Sequence, residues 1–254
     1  MEEISSLKNN LIKEVKKLHK KKERQEQQAY LIEGFHLVEE AVNYEGNIQK
    51  VFTTKKHLEA TQALLKNKAT ASLYVVTDEI IKSLSMVPAP QGVIAVVEIP
   101  KASQEPALTC PILILDNVQD PGNLGTMIRT ADAANFKTII LGAGTVDSYN
   151  DKVLRSMQGS QFHLNIIEAD LSQIIPTLRS QGVTVYGTEL NPEAVSYREL
   201  PRNREIALMM GNEGQGVAPE LLQLTDANVY IPITGKAESL NVAVAAGVLM
   251  FALT

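Results

Sequence analysis

The 254-residue chain has one cysteine, Cys110. It can form no intramolecular disulfide, and no cysteine cluster exists to hold zinc, so a reducing compartment is expected. No apolar run reaches the roughly 20 residues of a membrane-spanning helix. The opening residues MEEISSLKNN lack the apolar core of a secretory signal. Aromatic residues are few, at 5%. Positive charge is also short, with 24 Lys and Arg against 29 Asp and Glu and a net charge of -5, which argues weakly against a nucleic-acid partner. The glycine spacing of a Rossmann fingerprint and the lysine of a phosphate-binding loop are both missing, and Gly142-Ala143-Gly144 does not complete either. A nucleotide-dependent oxidoreductase is therefore disfavoured. These absences together describe a soluble cytoplasmic protein with no membrane segment and no metal centre.

What is present is an ordinary globular composition, 44% hydrophobic and 21% charged. The charge is unevenly spread. Lys8, Lys13, Lys16, Lys17, Lys20, Lys21, Lys22 and Arg24 crowd the first helical segment, opposed there by Glu14 and Glu23. Such a patch can neutralise phosphates on a chain that is acidic overall, or it can be a solvated helix face. Leu7, Leu11, Val15 and Leu18 recur at three- and four-residue steps and predict one basic helix over residues 6–28. Alternating short strands and helices follow to about residue 100, a small α/β domain spanning 1–100. A polar, proline-bearing stretch at 101–108 reads as a linker. From residue 109 to 254 the pattern restarts with apolar strands at Ile112–Leu115, Thr138–Leu141, Val183–Gly187, Ile206–Met210 and Val229–Ile231. Helical stretches lie between them, as expected of a parallel sheet covered on both faces. An apolar helix, Leu240–Leu253, closes the pattern.

Ligands of parallel α/β sheets gather in loops at the carboxyl ends of strands, and three such loops carry unusual polar residues. The first, Asp116 to Asn123, opens a helix on which Asn123 is placed to be the N-cap and Arg129 lies six residues further on. Arg129 need not share the face of Asn123, and a plain pairing with Asp132 or Asp116 would also explain it. The second, Gly211-Asn212-Glu213-Gly214-Gln215-Gly216, surrounds one carboxylate with glycines, so a ligand can approach the backbone closely. The third runs from Ile231-Pro232-Ile233 to Glu238-Ser239-Leu240-Asn241. Capping explains Ser239, whereas Asn241 costs helix propensity unless its amide is used.

Taken in order, these loops resemble the three motifs of the SpoU/TrmH branch of the SPOUT methyltransferases. The first half resembles that family's substrate-binding domain through Asn9 with Lys13, Tyr30-Leu31-Ile32-Glu33-Gly34, and Gln91-Gly92. The resemblance implies an α/β fold made of a small L30e-like domain and a SPOUT-type parallel sheet with a C-terminal trefoil knot. It implies a homodimer that 2′-O-methylates a ribose in structured RNA with S-adenosylmethionine. Ribosomal RNA of the 23S type is preferred over transfer RNA because of the separate first domain; a transfer-RNA enzyme and a non-catalytic RNA-binding assembly factor are the alternatives. The catalytic residues it implies are Asn123, Arg129, Glu213, Ser239 and Asn241, with Thr188, Gly211, Asn212, Ile231 and Leu240 contacting the cofactor. A sulfonium methyl is already a strong electrophile, so no metal is expected. Arg129 is expected to anchor phosphate or stabilise an oxyanion rather than act as a base, because a guanidinium rarely gives up its proton. Two departures stand out. Ala243 occupies a position where many relatives carry serine, and Lys152 to Ser160 fits the pattern loosely, leaving Arg155 either an RNA contact or a surface residue. His163 reads as structural, and Tyr149 has no assigned role.

Overall fold

A computed structural model describes residues 2–66, 71–101 and 107–254. The chain separates into two compact units, one of residues up to Lys101 together with Tyr149–Phe162, the other of the remaining residues up to Ser148 and from His163 to Thr254. Most of the expected linker, positions 102–106, lies outside the described residues.

In the first unit the elements run β1 (Glu2–Ile4), α1 (Asn10–Lys17), α2 (Lys21–Gln27), β2 (Ala29–Glu33), α3 (Phe35–Asn43), β3 (Ile48–Thr54), α4 (Leu58–Leu64), β4 (Ser72–Val76), α5 (Asp78–Leu84) and β5 (Val93–Glu98). Among the described residues five strands form a sheet of order β1-β4-β3-β5-β2. The pairs β1–β4 and β4–β3 are parallel, and β5 runs antiparallel to both β3 and β2.

The single basic helix expected over residues 6–28 is instead two helices. Arg24, counted with the surface cations, is buried, and its Nη1 donates to the carbonyls of Leu18 and His19 at 2.9 Å each. Those are carbonyls left open where α1 ends, so one internal cation fixes the corner between α1 and α2. Asn9 caps α1 by accepting from the Leu11 N–H at 2.8 Å. The apolar stripe is Ile12, Val15 and Leu18, while Leu7 is 45% exposed.

The second unit contains β6 (Ile112–Leu115), α6 (Pro121–Ala133) and β7 (Thr138–Leu141). Next in the chain comes α7 (Asp151–Met157), within the segment that groups with the first unit. There Tyr149 packs its ring on Tyr30 at 4.6 Å between centroids, and His36 Nε2 meets the Gln158 carbonyl at 3.0 Å. The second unit then continues with β8 (Asn165–Glu168), α8 (Leu171–Ser180), β9 (Thr184–Thr188), β10 (Val195–Ser196), β11 (Ile206–Met210), α9 (Pro219–Leu222), β12 (Ala227–Tyr230) and α10 (Val242–Leu253). Among the described residues seven strands form a sheet of order β10-β12-β9-β11-β6-β7-β8, with every pair parallel. The central strands β6 and β11 are buried throughout. Cover on both faces explains why they read as unbroken apolar runs rather than as alternation.

Register brings the carboxyl ends into line, with Leu115 opposite Met210, Met209 opposite Gly187, and Thr188 opposite Val229. The loops after β6, β9, β11 and β12 therefore leave the sheet from one edge. Among the described residues no helix is long and apolar enough to cross a membrane.

Candidate active site

The first loop corrects one expectation. Asp120, not Asn123, caps α6: its side chain accepts from the Asn123 N–H at 2.8 Å, and Pro121 occupies the first turn. Proline is favoured there because its missing N–H is one the helix leaves unpaired in any case. The consequence is chemical. Asn123, freed from capping, spends its amide on other loops. Its Nδ2 donates to Glu213 Oε1 at 3.1 Å, and its Oδ1 accepts from Asn241 Nδ2 at 3.0 Å. One chain, Asn241 to Asn123 to Glu213, links all three motifs across 118 positions of sequence.

Asn241 is itself the N-cap of α10, which begins at Val242 rather than at Leu240. Its Oδ1 accepts from the N–H groups of Ala243 at 2.9 Å and Val244 at 3.3 Å. Its oxygen serves the helix while its nitrogen serves the site, which accounts for an asparagine here. Ser239 is not the cap. It is exposed and lines the adjoining cavity.

Glu213 also accepts from the backbone N–H groups of Gln119 at 3.3 Å and Asp120 at 3.1 Å. Partial burial alone would raise its carboxyl. The Asn123 side chain and the surrounding backbone N–H groups outweigh burial and hold it below the ordinary glutamate range. Asp116, buried where β6 ends, accepts from the Ala218 N–H at 2.8 Å and ties the first loop to the segment beyond the second.

The second loop is folded tightly on itself. Asn212 and Gly216 exchange backbone bonds, N to O, at 2.9 and 3.0 Å. Asn212 Oδ1 accepts from the N–H groups of Gly214 and Gln215 at 2.9 and 3.2 Å, and its Nδ2 donates to the Asn117 carbonyl at 2.9 Å. Gly211 lies where the loop closes: a Cβ there would sit 2.1 Å from Gly216 C and 2.2 Å from Val217 N, both backbone atoms. No side chain fits at that position.

Beside this loop opens a cavity of about 680 Å³. Thr188, Gly211, Asn212, Ile231 and Leu240, the five residues expected to hold cofactor, all line it. Thr188 turns its hydroxyl back to the Met209 carbonyl at 2.9 Å. The size is that of a pocket for a drug-sized ligand. Among the charged residues of this cavity, sequence reasoning gave no role to Glu189 or Glu238. The available signal was position, since each sits beside a residue already singled out, Thr188 and Ser239. Among the described residues no group of three or more His, Cys, Asp or Glu is arranged to hold a metal ion.

Arg129 stands apart. It is exposed and does not line the cavity. Six residues advance about 240° around a helix, so Arg129 and Asn123 leave α6 in different directions. The partners that would have made it a simple surface pair are taken: Asp116 by Ala218, and Asp132 by His163, whose Nδ1 lies 2.7 Å from Asp132 Oδ2. That contact gives His163 a role in holding α6. Arg155 is paired with Asp151 at 3.0 Å, one turn back on α7.

The site and the fold place the chain in a known class: it belongs to the SpoU rRNA Methylase family, which matches residues 111–251, and residues 9–95 match an MRM3-like substrate binding domain. It is a methyltransferase. Among its relatives is the 23S rRNA (guanosine(2553)-2′-O)-methyltransferase RlmP of Bacillus subtilis (strain 168), 43% identical over 253 residues, covering 100% of this chain and 99% of that protein. The crystal structure of the AdoMet-bound rRNA methyltransferase from Sinorhizobium meliloti superposes with a TM-score of 0.88 at 32% identity, covering 99% of this chain and 96% of that one. The SpoU methyltransferase AviRb from Streptomyces viridochromogenes shares the fold, with a TM-score of 0.85 at 23% identity and coverage of 97% of each chain.

Proposed function

We infer that this protein uses S-adenosylmethionine to methylate a ribose 2′-hydroxyl in 23S-type ribosomal RNA. The observation that carries this reading is the hydrogen-bonded chain Asn241–Asn123–Glu213 beside a cavity lined by all five expected cofactor residues. The cavity fits the group: apolar side chains such as Ile231 and Leu240 suit an adenine ring, and a lining with carboxylates and, among the described residues, no basic side chain suits a cation. When bound, S-adenosylmethionine supplies an electrophilic methyl group.

The chain's own residues then have to orient the ribose oxygen and lower the cost of its developing charge. Asn123 and Glu213 form a fixed polar edge for the ribose, and Ser239 adds a hydroxyl at the rim. Arg129, permanently charged, is suited to anchoring a phosphate or stabilising an oxyanion. Its distance from the cavity of its own chain is resolved by a homodimer. Val244, Val248 and Phe251 leave an apolar stripe on α10 that is 54, 37 and 56% exposed, and α6 packs against α10. A second copy on that face covers the stripe and leaves Arg129 free to serve the neighbouring cavity. The sheet order, with β11 between β6 and β9, supports the knotted topology that the resemblance implies.

The first unit holds the RNA. Lys17 and Lys22 are paired with Glu14 and Glu26 at 2.8 and 3.6 Å, whereas Lys8, Lys13, Lys16, Lys20 and Lys21 have no ion-pair partner among the described residues. These lysines are available to phosphates. A ribosomal substrate supports a cytoplasmic location. Incubation with labelled S-adenosylmethionine and separated ribosomal and transfer RNA tests the reading: label is expected in large-subunit RNA, and label in transfer RNA alone would overturn the substrate.

A further inference from the structure

The cavity at the strand ends is unbalanced in charge. Glu189, Glu213 and Glu238 line it, and no lysine, arginine or histidine does among the described residues. They come from three separate loops: Glu189 directly after β9, Glu213 after β11, and Glu238 ahead of α10. Glu213 is accounted for by its bonds to the first loop. The other two are not needed to hold their loops. Glu189 accepts only from Asn191, two residues away, at 3.3 Å, and Glu238 is exposed with no hydrogen bond among the described residues. Around them the wall is largely apolar, with Val229, Ile231, Leu240 and Leu249. Filling such a cavity displaces water, and carboxylates at its rim then act on a bound charge more strongly than they would in bulk solvent.

We propose that Glu189 and Glu238 make this cavity select a cationic ligand over its neutral counterpart, so that S-adenosylmethionine is held in preference to the demethylated product. The proposal rests on the reading of this cavity as the cofactor site. The methyl group leaves without the S–C bonding pair, which stays on sulfur, while the new C–O bond uses a pair from the ribose oxygen, whose proton passes to solvent. S-adenosylmethionine and S-adenosylhomocysteine therefore differ by one methyl group and one positive charge. Their shared ammonium and carboxylate feel the same field in both, so the difference in affinity reports the charge at sulfur. A pair of unit charges near a protein surface is worth on the order of a threefold change in affinity for each carboxylate. The selection eases replacement of spent product by fresh cofactor without a change of conformation.

The test is calorimetric. Affinities for S-adenosylmethionine, S-adenosylhomocysteine and an analogue bearing an ammonium in place of the sulfonium are measured for the full chain and for Glu189→Gln, Glu238→Gln and the double variant, at low and high salt. The wild type is expected to favour both cationic ligands. Each substitution should cut that preference about threefold and the double variant about tenfold, beyond any change common to all three ligands through their shared ammonium and carboxylate. High salt should narrow the wild-type preference. Measurable product binding also shows that the variants fold. An unchanged ratio in the double variant overturns the proposal, as does an equal loss for all three ligands, which would make these residues ordinary contacts. If the wild type binds none of the ligands, the cofactor site itself has been misassigned and the proposal falls with it.

Discussion

Replacing Gly211 by alanine isolates the geometry of the second loop. The glycine does not need an unusual backbone angle, so the added methyl group acts through space alone. Its carbon would lie 2.1 Å from Gly216 C, 2.2 Å from Val217 N and 2.3 Å from Gly216 O. All three are backbone atoms, which cannot swing aside as the end of a side chain can. Reaching van der Waals distance requires a movement of more than about 1 Å, which overpacked cores absorb at about 1–3 kcal/mol. Such a movement opens the exchanged bonds between Asn212 and Gly216 at 2.9 and 3.0 Å, at about 0.5–1.5 kcal/mol each. The sum is about 2–6 kcal/mol, a large share of the stability of a typical domain. Gly214→Ala is the matched control, because its nearest neighbour would be Asn212 Oδ1 at an ordinary 3.6 Å. Urea unfolding of both variants, followed with a probe in the second unit, and calorimetry with S-adenosylmethionine provide the comparison. Gly211→Ala should lose stability and cofactor affinity together while Gly214→Ala stays within about 1 kcal/mol of wild type. Equal behaviour of the two variants would refute the argument.

Four further outcomes are expected. Asn241→Ala removes both the cap of α10 and the bond to Asn123, and should cost about 1–2 kcal/mol in denaturant unfolding; Asn241→Ser should recover the cap but not the activity. Glu213 titrates below its unfolded value, so it contributes stability above the ordinary glutamate range, and that contribution is lost as pH falls through the lowered folded value; the fall of stability with acid should be shallower in Glu213→Gln. Reversing charge at Lys13 and Lys16 should weaken RNA binding and flatten the logarithmic salt dependence by about one to two units in a filter-binding series, with cofactor affinity unchanged. Phe251→Glu, which places a charge on the exposed stripe of α10, should yield monomers by light scattering and abolish methylation while cofactor still binds.

Much of the fold was legible because burial on both faces leaves a strong mark. Ile112–Leu115 and Ile206–Met210 stand out as apolar runs and are the buried central strands β6 and β11. The short edge strands β1 and β10, of three and two residues, were not legible. Their side chains carry too little pattern, and pairing with a neighbour defines them. The break between α1 and α2 was hidden for a different reason: it depends on Arg24 folding back on Leu18 and His19, and a surface arginine and a buried one look alike in sequence. The site motifs were readable as clusters, yet their division of labour was not. Asp120 and Asn123 are both good caps, and the first turn of α6 chose Asp120 because Pro121 follows it. Glu189 lies in a loop with no motif of its own, and the register of β9 with β12 brings it to the cavity, whereas Glu238 stands in the third loop with nothing in its local pattern to give it a role.

The central claim is a methyl group on a ribose oxygen of ribosomal RNA, and one measurement addresses it directly. Ribosomal RNA labelled by the protein with S-adenosylmethionine is hydrolysed in alkali, beside a reaction with Arg129→Ala. A 2′-O-methyl blocks cleavage of the adjoining phosphodiester, so the label should survive in an alkali-resistant dinucleotide. The variant, which keeps the cavity intact, should lose the signal by about a hundredfold or more. Label recovered in free nucleotides would place the methyl on a base, and undiminished labelling by Arg129→Ala would remove the arginine from the chemistry; either result contradicts the account.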